Sequence, residues 1–447
     1  MQQPQAQPAN GVNLTEQTAD FVAAHRTEDV RQLALKAKRV EGLDLPLALD
    51  QIAGWQIACK KLPQWASCEG IIYPPHISME QCSSQFTAQY KSEIAQTLLT
   101  PAVTVRARMS DSAESDTQET KTGVRVTDSP ESDTLVARSS MVDLTGGFGV
   151  DFSYLARGFS QATYVERQRH LCDLAEHNMA ALGLDQARIV CGDGVEYLRQ
   201  MDPVDFIYLD PARRDEHGSR TYAIEDCTPN VLELRDLLLA KSQCTLVKLS
   251  PMLDWRKAVA DFDGTVREVH IVATGNECKE LLLVLGQQVH EEPSAPRVFC
   301  VNDNQRIDYD SAAYTQGLRI GGKPLPEAKN YLYEPNASIM KAGCFDLVEE
   351  RFGVTQVGPS SHLFVSATPV ADFPGRGFAI EAIGGMNKKD IKRLLNGTKQ
   401  ANIAVRNFPL TAPQLRKKLK LADGGPVYLF GTTMQGCDHV LLRTSKI

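Results

Sequence analysis

Between residues 141 and 285, short β-rich runs alternate with helical ones, and nothing else in the 447-residue chain limits its fold as much. The runs are Met141–Leu144, Ala162–Val165, Arg188–Val190, Phe206–Leu209, Thr245–Lys248, Val266–Val272 and Leu281–Leu285. Helical stretches begin at 150 and span 167–182, 194–201, 230–241 and 254–260. Strands alternating with helices specify a parallel sheet with helices on both faces. The last two strands follow each other across Thr274–Lys279 with no helix, which predicts a hairpin and an antiparallel edge strand.

The flanking regions differ in kind. Residues 1–108 read as a helical region, with one helix over 15–39 capped by Thr15 and an amphipathic run over 78–98 carrying Phe86, Tyr90 and Ile94 four apart. Trp55 and Trp65 are expected in its core. Residues 109–138 read as an acidic flexible linker. Within it, 109–133 hold seven acids against Lys121 and Arg125, a balance of −5, and almost no large apolar side chains to offset the entropy of ordering. The net charge of −7 therefore leaves only −2 for the rest. Residues 139–288 carry the alternating pattern, 289–376 form a Pro- and Gly-punctuated α+β region, and 377–447 return to regular elements. These last are a helix over 387–395, a strand over 402–406, a helix from Thr411 to Leu419, and strands at 427–430 and 440–442. Residues 388–420 carry ten Lys or Arg against Asp390, a balance of +9, which is the electrostatic footprint of a polyanion-binding surface.

Chemistry concentrates at the strand ends. Asp143-Leu144-Thr145-Gly146-Gly147-Phe148-Gly149-Val150-Asp151 follows the first strand and opens a helix, so glycine backbone can approach a ligand beside free helix N–H groups. The loop lacks the dinucleotide GxGxxG spacing and the GK[ST] of a P-loop. Glu166 ends the second strand, where a carboxylate can accept both hydroxyls of a ribose. Asp193, before Gly194, ends the third and can accept from an adenine amino group. Asp210 ends the fourth, in Asp210-Pro211-Ala212-Arg213-Arg214. One such carboxylate is most often a helix cap, but four at successive strand ends lie where open α/β sheets bind ligands.

This set closely resembles the motif series of class I S-adenosylmethionine-dependent methyltransferases over residues 139–288. The resemblance implies a seven-stranded Rossmann-like sheet and S-adenosyl-L-methionine as cofactor. Its methionine moiety would lie on Asp143, Thr145, Gly146, Gly147 and Gly149, its ribose on Glu166, and its adenine on Asp193 and Gly194. Asp210 and Pro211 would face the reacting methyl group. The whole chain is similar to a bacterial group with a ferredoxin-like insert and a THUMP-like C-terminus, which implies RNA binding by the basic segment Lys388 to Lys420. Asp210-Pro211-Ala212-Arg213 departs from the Asp/Asn-Pro-Pro-aromatic signature of exocyclic-amine methyltransferases. It is closer to the DPPR of RNA uracil-C5 methyltransferases, yet Lys248-Leu249-Ser250-Pro251 stands where those carry a catalytic cysteine. A covalent mechanism is thereby disfavoured.

The expectation is a methyltransferase acting on an RNA base, in tRNA or rRNA, by direct in-line transfer, with Asp210, Pro211 and Arg213 at the catalytic position. Arg213 and Arg214 either pair with acceptor phosphates or neutralise Asp215 and Glu216. The competing readings are a protein or small-molecule methyltransferase and a non-catalytic RNA-binding protein. Eleven cysteines without a CxxC pair and nine histidines without a ligand cluster imply no metal. The polar N-terminus has no signal-peptide pattern and no apolar run reaches about 18 residues, so no membrane association and a cytoplasmic location are expected.

Overall fold

The computed structural model describes residues 14–36, 40–99, 139–213, 223–286, 295–313, 325, 329–358, 360–436 and 438–447. The acidic linker, 109–138, lies outside the described residues, as do Arg214 and the acids that follow it. The chain forms two compact units, residues 1–248 with 284–287, and residues 249–283 with 288–447.

The first unit opens with six helices: α1 (Glu16–His25), α2 (Val30–Lys36), α3 (Leu45–Lys61), α4 (Pro63–Ser67), α5 (His76–Gln81) and α6 (Gln85–Leu99). Thr15 caps α1 through its Oγ1, 3.2 Å from the Thr18 N–H. The single helix expected over 15–39 is broken, because Asp29 accepts from the Gln32 N–H at 2.9 Å and starts a second helix. The run expected over 78–98 divides likewise at Ser84, whose Oγ accepts from the Thr87 N–H. Trp65 is fully buried and Trp55 half-buried under Arg26.

The alternating pattern follows as β1 (Ser140–Asp143), α7 (Val150–Leu155), β2 (Gln161–Glu166), α8 (Arg169–Ala181), β3 (Ala187–Cys191), α9 (Gly194–Gln200), β4 (Val204–Leu209), a short hairpin of β5 (Ala212–Arg213) and β6 (Cys227–Thr228), α10 (Val231–Lys241) and β7 (Ser242–Leu249). The strands β7-β4-β1-β2-β3 lie side by side in that order, all parallel. Val142 stands between Thr163 of β2 and Ile207 of β4. The chain winds outward one way from β1 and the other way from β4, so the carboxyl ends of these two strands border the switch point where such sheets bind ligands.

The helices of residues 16–99 belong to the same body. The Trp65 indole N–H donates to Ser153 Oγ on α7 at 3.1 Å, and the Asn178 side chain on α8 makes two 2.9 Å bonds to the Ile72 backbone.

In the second unit, α11 (Trp255–Asp261) leads to β8 (Val266–Thr274) and β9 (Glu277–Gly286), whose last residues count with the first unit. Gly275 and Asn276 join them with φ of 58° and 61°, the left-handed pair that a two-residue hairpin requires. The edge-strand expectation is overturned. Strands β10 (Arg297–Asn302) and β11 (Gln305–Asp310) continue the order as β9-β8-β10-β11, with β10 parallel to β8. Strand β8 thus has a neighbour on either side, and the unbroken apolar run Leu281–Leu285 of β9 is fully buried.

The remaining elements are β12 (Tyr331–Pro335), α12 (Ala337–Ala342), α13 (Phe345–Phe352), β13 (Thr355–Gln356), β14 (Phe364–Ser366), β15 (Gly375–Gly384), α14 (Lys388–Leu395), β16 (Asn402–Arg406), α15 (Ala412–Leu419), β17 (Val427–Thr433) and β18 (His439–Lys446). They build a second, seven-stranded sheet in the order β13-β14-β12-β15-β18-β17-β16. The 376/377 division falls inside β15. Leu394 of α14 and Leu415 and Leu419 of α15 share one core with Leu429 and Leu441, so both helices cover the same face of this sheet. Among the described residues, no helix is long and apolar enough to cross a membrane.

Candidate methyl-transfer site

The loop after β1 is shaped by what it must pass. A Cβ at Gly146 would lie 2.2 Å from the Tyr164 ring, which is fully buried and cannot yield. A Cβ at Gly194 would lie 2.2 Å from the Leu144 carbonyl oxygen, so the loops after β1 and β3 touch backbone to backbone. Gly147 and Gly149 have φ of 55° and 82°. Space opens beside two glycines of these loops: a Cβ at Gly192 would meet nothing within 4 Å, and one at Gly147 only the Thr145 carbonyl at 3.7 Å. Gly194→Ala is expected to destabilise the first unit by about 1–3 kcal/mol through this backbone clash. Thermal melting checks it, and an unchanged melting temperature would mean that the two loops separate freely.

Polar side chains bind the loops to one another. Glu166 accepts from the Gly147 N–H at 3.0 Å through Oε2 and from the Gln168 N–H at 2.9 Å through Oε1. The Tyr164 hydroxyl donates to the Gly147 carbonyl, and burial pushes that phenol up so that it keeps its proton. Thr145 Oγ1 accepts from the Asp210 N–H at 2.7 Å, tying the glycine loop to the start of the Asp210-Pro211 segment. Asp193 is exposed and caps α9, with its Oδ1 2.9 Å from the Val195 N–H and 3.1 Å from the Glu196 N–H. Carboxylates have about four acceptor positions, so both Glu166 and Asp193 retain capacity for a ligand. Arg213 contributes backbone to β5, and its side chain lies outside the described residues.

Asp143 is fully buried. Burial pushes its carboxyl up to about 8, against the Thr145 N–H at 2.9 Å, and the nearby Asp151 and Asp210 charges push the same way. The unfolded chain releases this proton near pH 4. Stability contributed by this group therefore falls as pH rises from about 4 to about 8, then levels off. Asp143→Asn keeps the acceptor without the ionisation. At pH 9 it is expected to melt about 5 °C above wild type, a gap that closes toward pH 5. Scanning calorimetry across this range is the measurement, and a pH-independent gap would assign the effect to something other than ionisation.

The largest addition to the sequence reading is a charge network behind Asp210. The Lys248 ammonium, at the end of β7, donates to Asp210 Oδ2 at 2.7 Å and lies 3.6 Å from Asp151 Oδ2. Asp151, in the first turn of α7, also accepts from the hydroxyls of Tyr208 at 2.7 Å and Ser83 at 2.8 Å, and its Oδ1 faces the Lys91 ammonium at 3.0 Å. Burial alone would raise the Asp151 carboxyl, but the ammonium groups of Lys91 and Lys248 and the two hydroxyls hold it well below the usual carboxylate range. In the sequence, Lys248 is marked only by the segment Lys248-Leu249-Ser250-Pro251, which stands where uracil-C5 methyltransferases carry a cysteine. Asp151 followed the glycine loop, and Lys91 shares a helix face with the buried Thr87, Ile94 and Ala95. Among the described residues, no group of His, Cys, Asp and Glu forms a metal-ligand cluster.

The C-terminal sheet matches two domain families, a ferredoxin-like domain over residues 331–374 and a THUMP domain-like family over 375–446. A solved structure covers far more of the chain. The crystal structure of a provisionally assigned methyltransferase from Porphyromonas gingivalis W83 is 30% identical, with a TM-score of 0.76 over 96% of this chain and 97% of that one. The chain belongs to this methyltransferase family. Within this family the chain carries ferredoxin-like and THUMP-like domains after its methyltransferase sheet. Smaller overlaps occur with the SAM-dependent methyltransferase from Agrobacterium tumefaciens (18% identity, 34% of this chain and 56% of that, TM-score 0.26) and an rRNA methylase from Streptococcus thermophilus (14%, 34% and 89%, TM-score 0.26). They add nothing to the assignment. No curated protein sequence matches. The sequence resemblance implies S-adenosylmethionine as the cofactor. The site fits it: open space beside Gly147 and Gly192 at the switch point is bordered by carboxylates, the acceptor groups that hydroxyls and amines require.

Proposed function

We propose that this methyltransferase modifies a base of tRNA or rRNA by direct in-line transfer, with no covalent bond between enzyme and RNA. The observation that carries the RNA reading is the helical layer of the THUMP-like segment. Lys388, Lys389 and Lys392 of α14, Lys417 and Lys418 of α15, and Lys420 are all exposed on two helices that share one face of the sheet. Clustered cations on a single layer attract a polyanion and make its binding salt-dependent.

In this reading the loop Asp143 to Gly149 holds the methionine moiety, Glu166 the ribose, and Asp193 with Gly194 the adenine. When bound, S-adenosylmethionine supplies an electrophilic methyl group. Asp210 then orients or deprotonates the acceptor nitrogen through its outer carboxylate oxygen, with Pro211 and Arg213 beside it. The absence of a covalent step is supported by Cys82, a thiol that feels the charges of Asp151 and Lys248. Burial pushes Cys82 up to about 11, so it stays protonated and is a poor nucleophile.

The test is incubation of the purified protein with methyl-labelled S-adenosylmethionine and total RNA from a strain lacking the gene, with nuclease and protease controls. Label that nuclease releases supports the reading, and digestion to nucleosides names the atom. Label in protein or small molecules overturns the RNA assignment.

A further inference from the structure

We infer that the N-terminal helical region is part of the catalytic unit, and that Lys91 of α6 is a positioning residue acting on Asp210 through Asp151 and Lys248. The inference rests on the role of Asp210 given above.

The four charged groups form a graded chain from the interior to the candidate site. Side-chain exposure rises from 0% at Lys91 to 9% at Asp151, 15% at Lys248 and 39% at Asp210. Signs alternate along it. A fully buried ammonium is tolerated only when its protons are satisfied. Lys91 meets that demand with hydrogen bonds to Ser83 Oγ at 3.1 Å and the Thr87 carbonyl at 3.3 Å, and its charge is balanced by the Asp151 carboxylate, whose Oδ1 lies 3.0 Å away.

Ser83 is the hub of the arrangement. Its hydroxyl donates to Asp151 Oδ2 and accepts from both lysines, Lys91 at 3.1 Å and Lys248 at 3.3 Å. Two residues from the N-terminal helical region therefore touch the group that sets where Lys248 sits. Lys248 donates to Asp210 at 2.7 Å and to Ser83 Oγ at 3.3 Å and lies 3.6 Å from Asp151, and its pull toward either carboxylate depends on how much of the Asp151 charge Lys91 already balances. With Lys91 in place, Lys248 leans outward. It clamps Oδ2 of Asp210 and leaves Oδ1 for the acceptor. Without Lys91, the full Asp151 charge draws Lys248 inward and frees the Asp210 carboxylate to rotate.

The test compares wild type with Lys91→Met, Asp151→Asn and the double variant K91M/D151N as full-length proteins. Thermal melting without cofactor, calorimetric binding of S-adenosylmethionine and single-turnover methyl transfer are measured for each. Transfer is counted in an unfractionated lysate of the deletion strain, so the rate does not depend on the acceptor class. Nuclease treatment of the product then reports separately on the RNA reading.

Lys91→Met is expected to lower the melting temperature and to slow transfer by about 10²-fold at a temperature where it is fully folded. Its affinity for S-adenosylmethionine is expected to hold. In the double variant, removing both charges is expected to restore the melting temperature and most of the rate. A folded Lys91→Met with wild-type transfer would overturn the proposal and leave Lys91 a purely structural residue. A double variant whose stability recovers while its rate stays at the Lys91→Met level would overturn it too.

Discussion

Asp210→Ala is expected to slow methyl transfer by about 10²–10⁴-fold while leaving S-adenosylmethionine affinity nearly unchanged. The carboxylate is the most exposed member of its charge network, and its backbone N–H, not its side chain, makes the 2.7 Å bond to Thr145 Oγ1. Truncation to alanine therefore keeps the link to the glycine loop. Lys248 also keeps neighbours, with Ser83 Oγ at 3.3 Å and Asp151 at 3.6 Å, so no buried charge is left alone. What disappears is the group that can orient or deprotonate an acceptor. Single-turnover rates with calorimetric cofactor binding separate the two effects. Transfer within about tenfold of wild type would move the catalytic role away from Asp210, since general-base contributions fall below that only rarely.

The second large effect is expected at the C-terminus. Replacing Lys388, Lys389, Lys392, Lys417, Lys418 and Lys420 together by glutamine should weaken RNA binding by about 10³-fold or more at low salt. The slope of log affinity against log salt should flatten by about 4 to 5 if each lysine neutralises one phosphate. These six are exposed on the two helices, whereas two of their basic neighbours, Arg393 and Arg416, already have structural partners. Arg393 donates to the Ile383 carbonyl at 2.7 Å and pairs with Asp390. Arg416 holds the Ala401 and Ala422 carbonyls at 2.9 Å and pairs with Asp423. The balance of +9 read along the sequence thus overstates the charge available to a ligand. Filter-binding titrations across a salt series make the measurement. An unchanged slope would remove this face from the RNA interface.

What the sequence made legible followed from local chemistry. Seven of the nine strands described between 140 and 286 were visible because strand and helix alternate with turn residues at their joins, and the C-terminal elements because caps such as Thr411 and Asn387 sit where helices begin. The glycine loop and the carboxylates at 166, 193 and 210 were visible because topology alone fixes where such strands end. Less legible were features made by pairing at a distance. Strands β10 and β11 lie in a stretch with no clear period, and only their pairing with β8 gives them a place. Lys91 is an ordinary helix residue until Asp151, 60 positions later in the chain, stands 3.0 Å from it. Lys248 drew notice only as the position where a cysteine was missing.

The seven-stranded sheet sets the limits of what can be moved as a module. Strand β15 opens the THUMP-like match, yet Leu332, Val357, Leu363 and Val365 from the preceding segment share one core with Phe378, Phe430 and Leu442. Buried Glu334 on β12 is held by Arg376 and Arg406, both from the later segment. A gene fusion that carried 375–446 alone would strip a carboxylate from two arginines and half the apolar lining from a sheet. A transplanted piece must therefore reach back at least to about residue 329, so a recombination event could exchange the two domain families only as a pair.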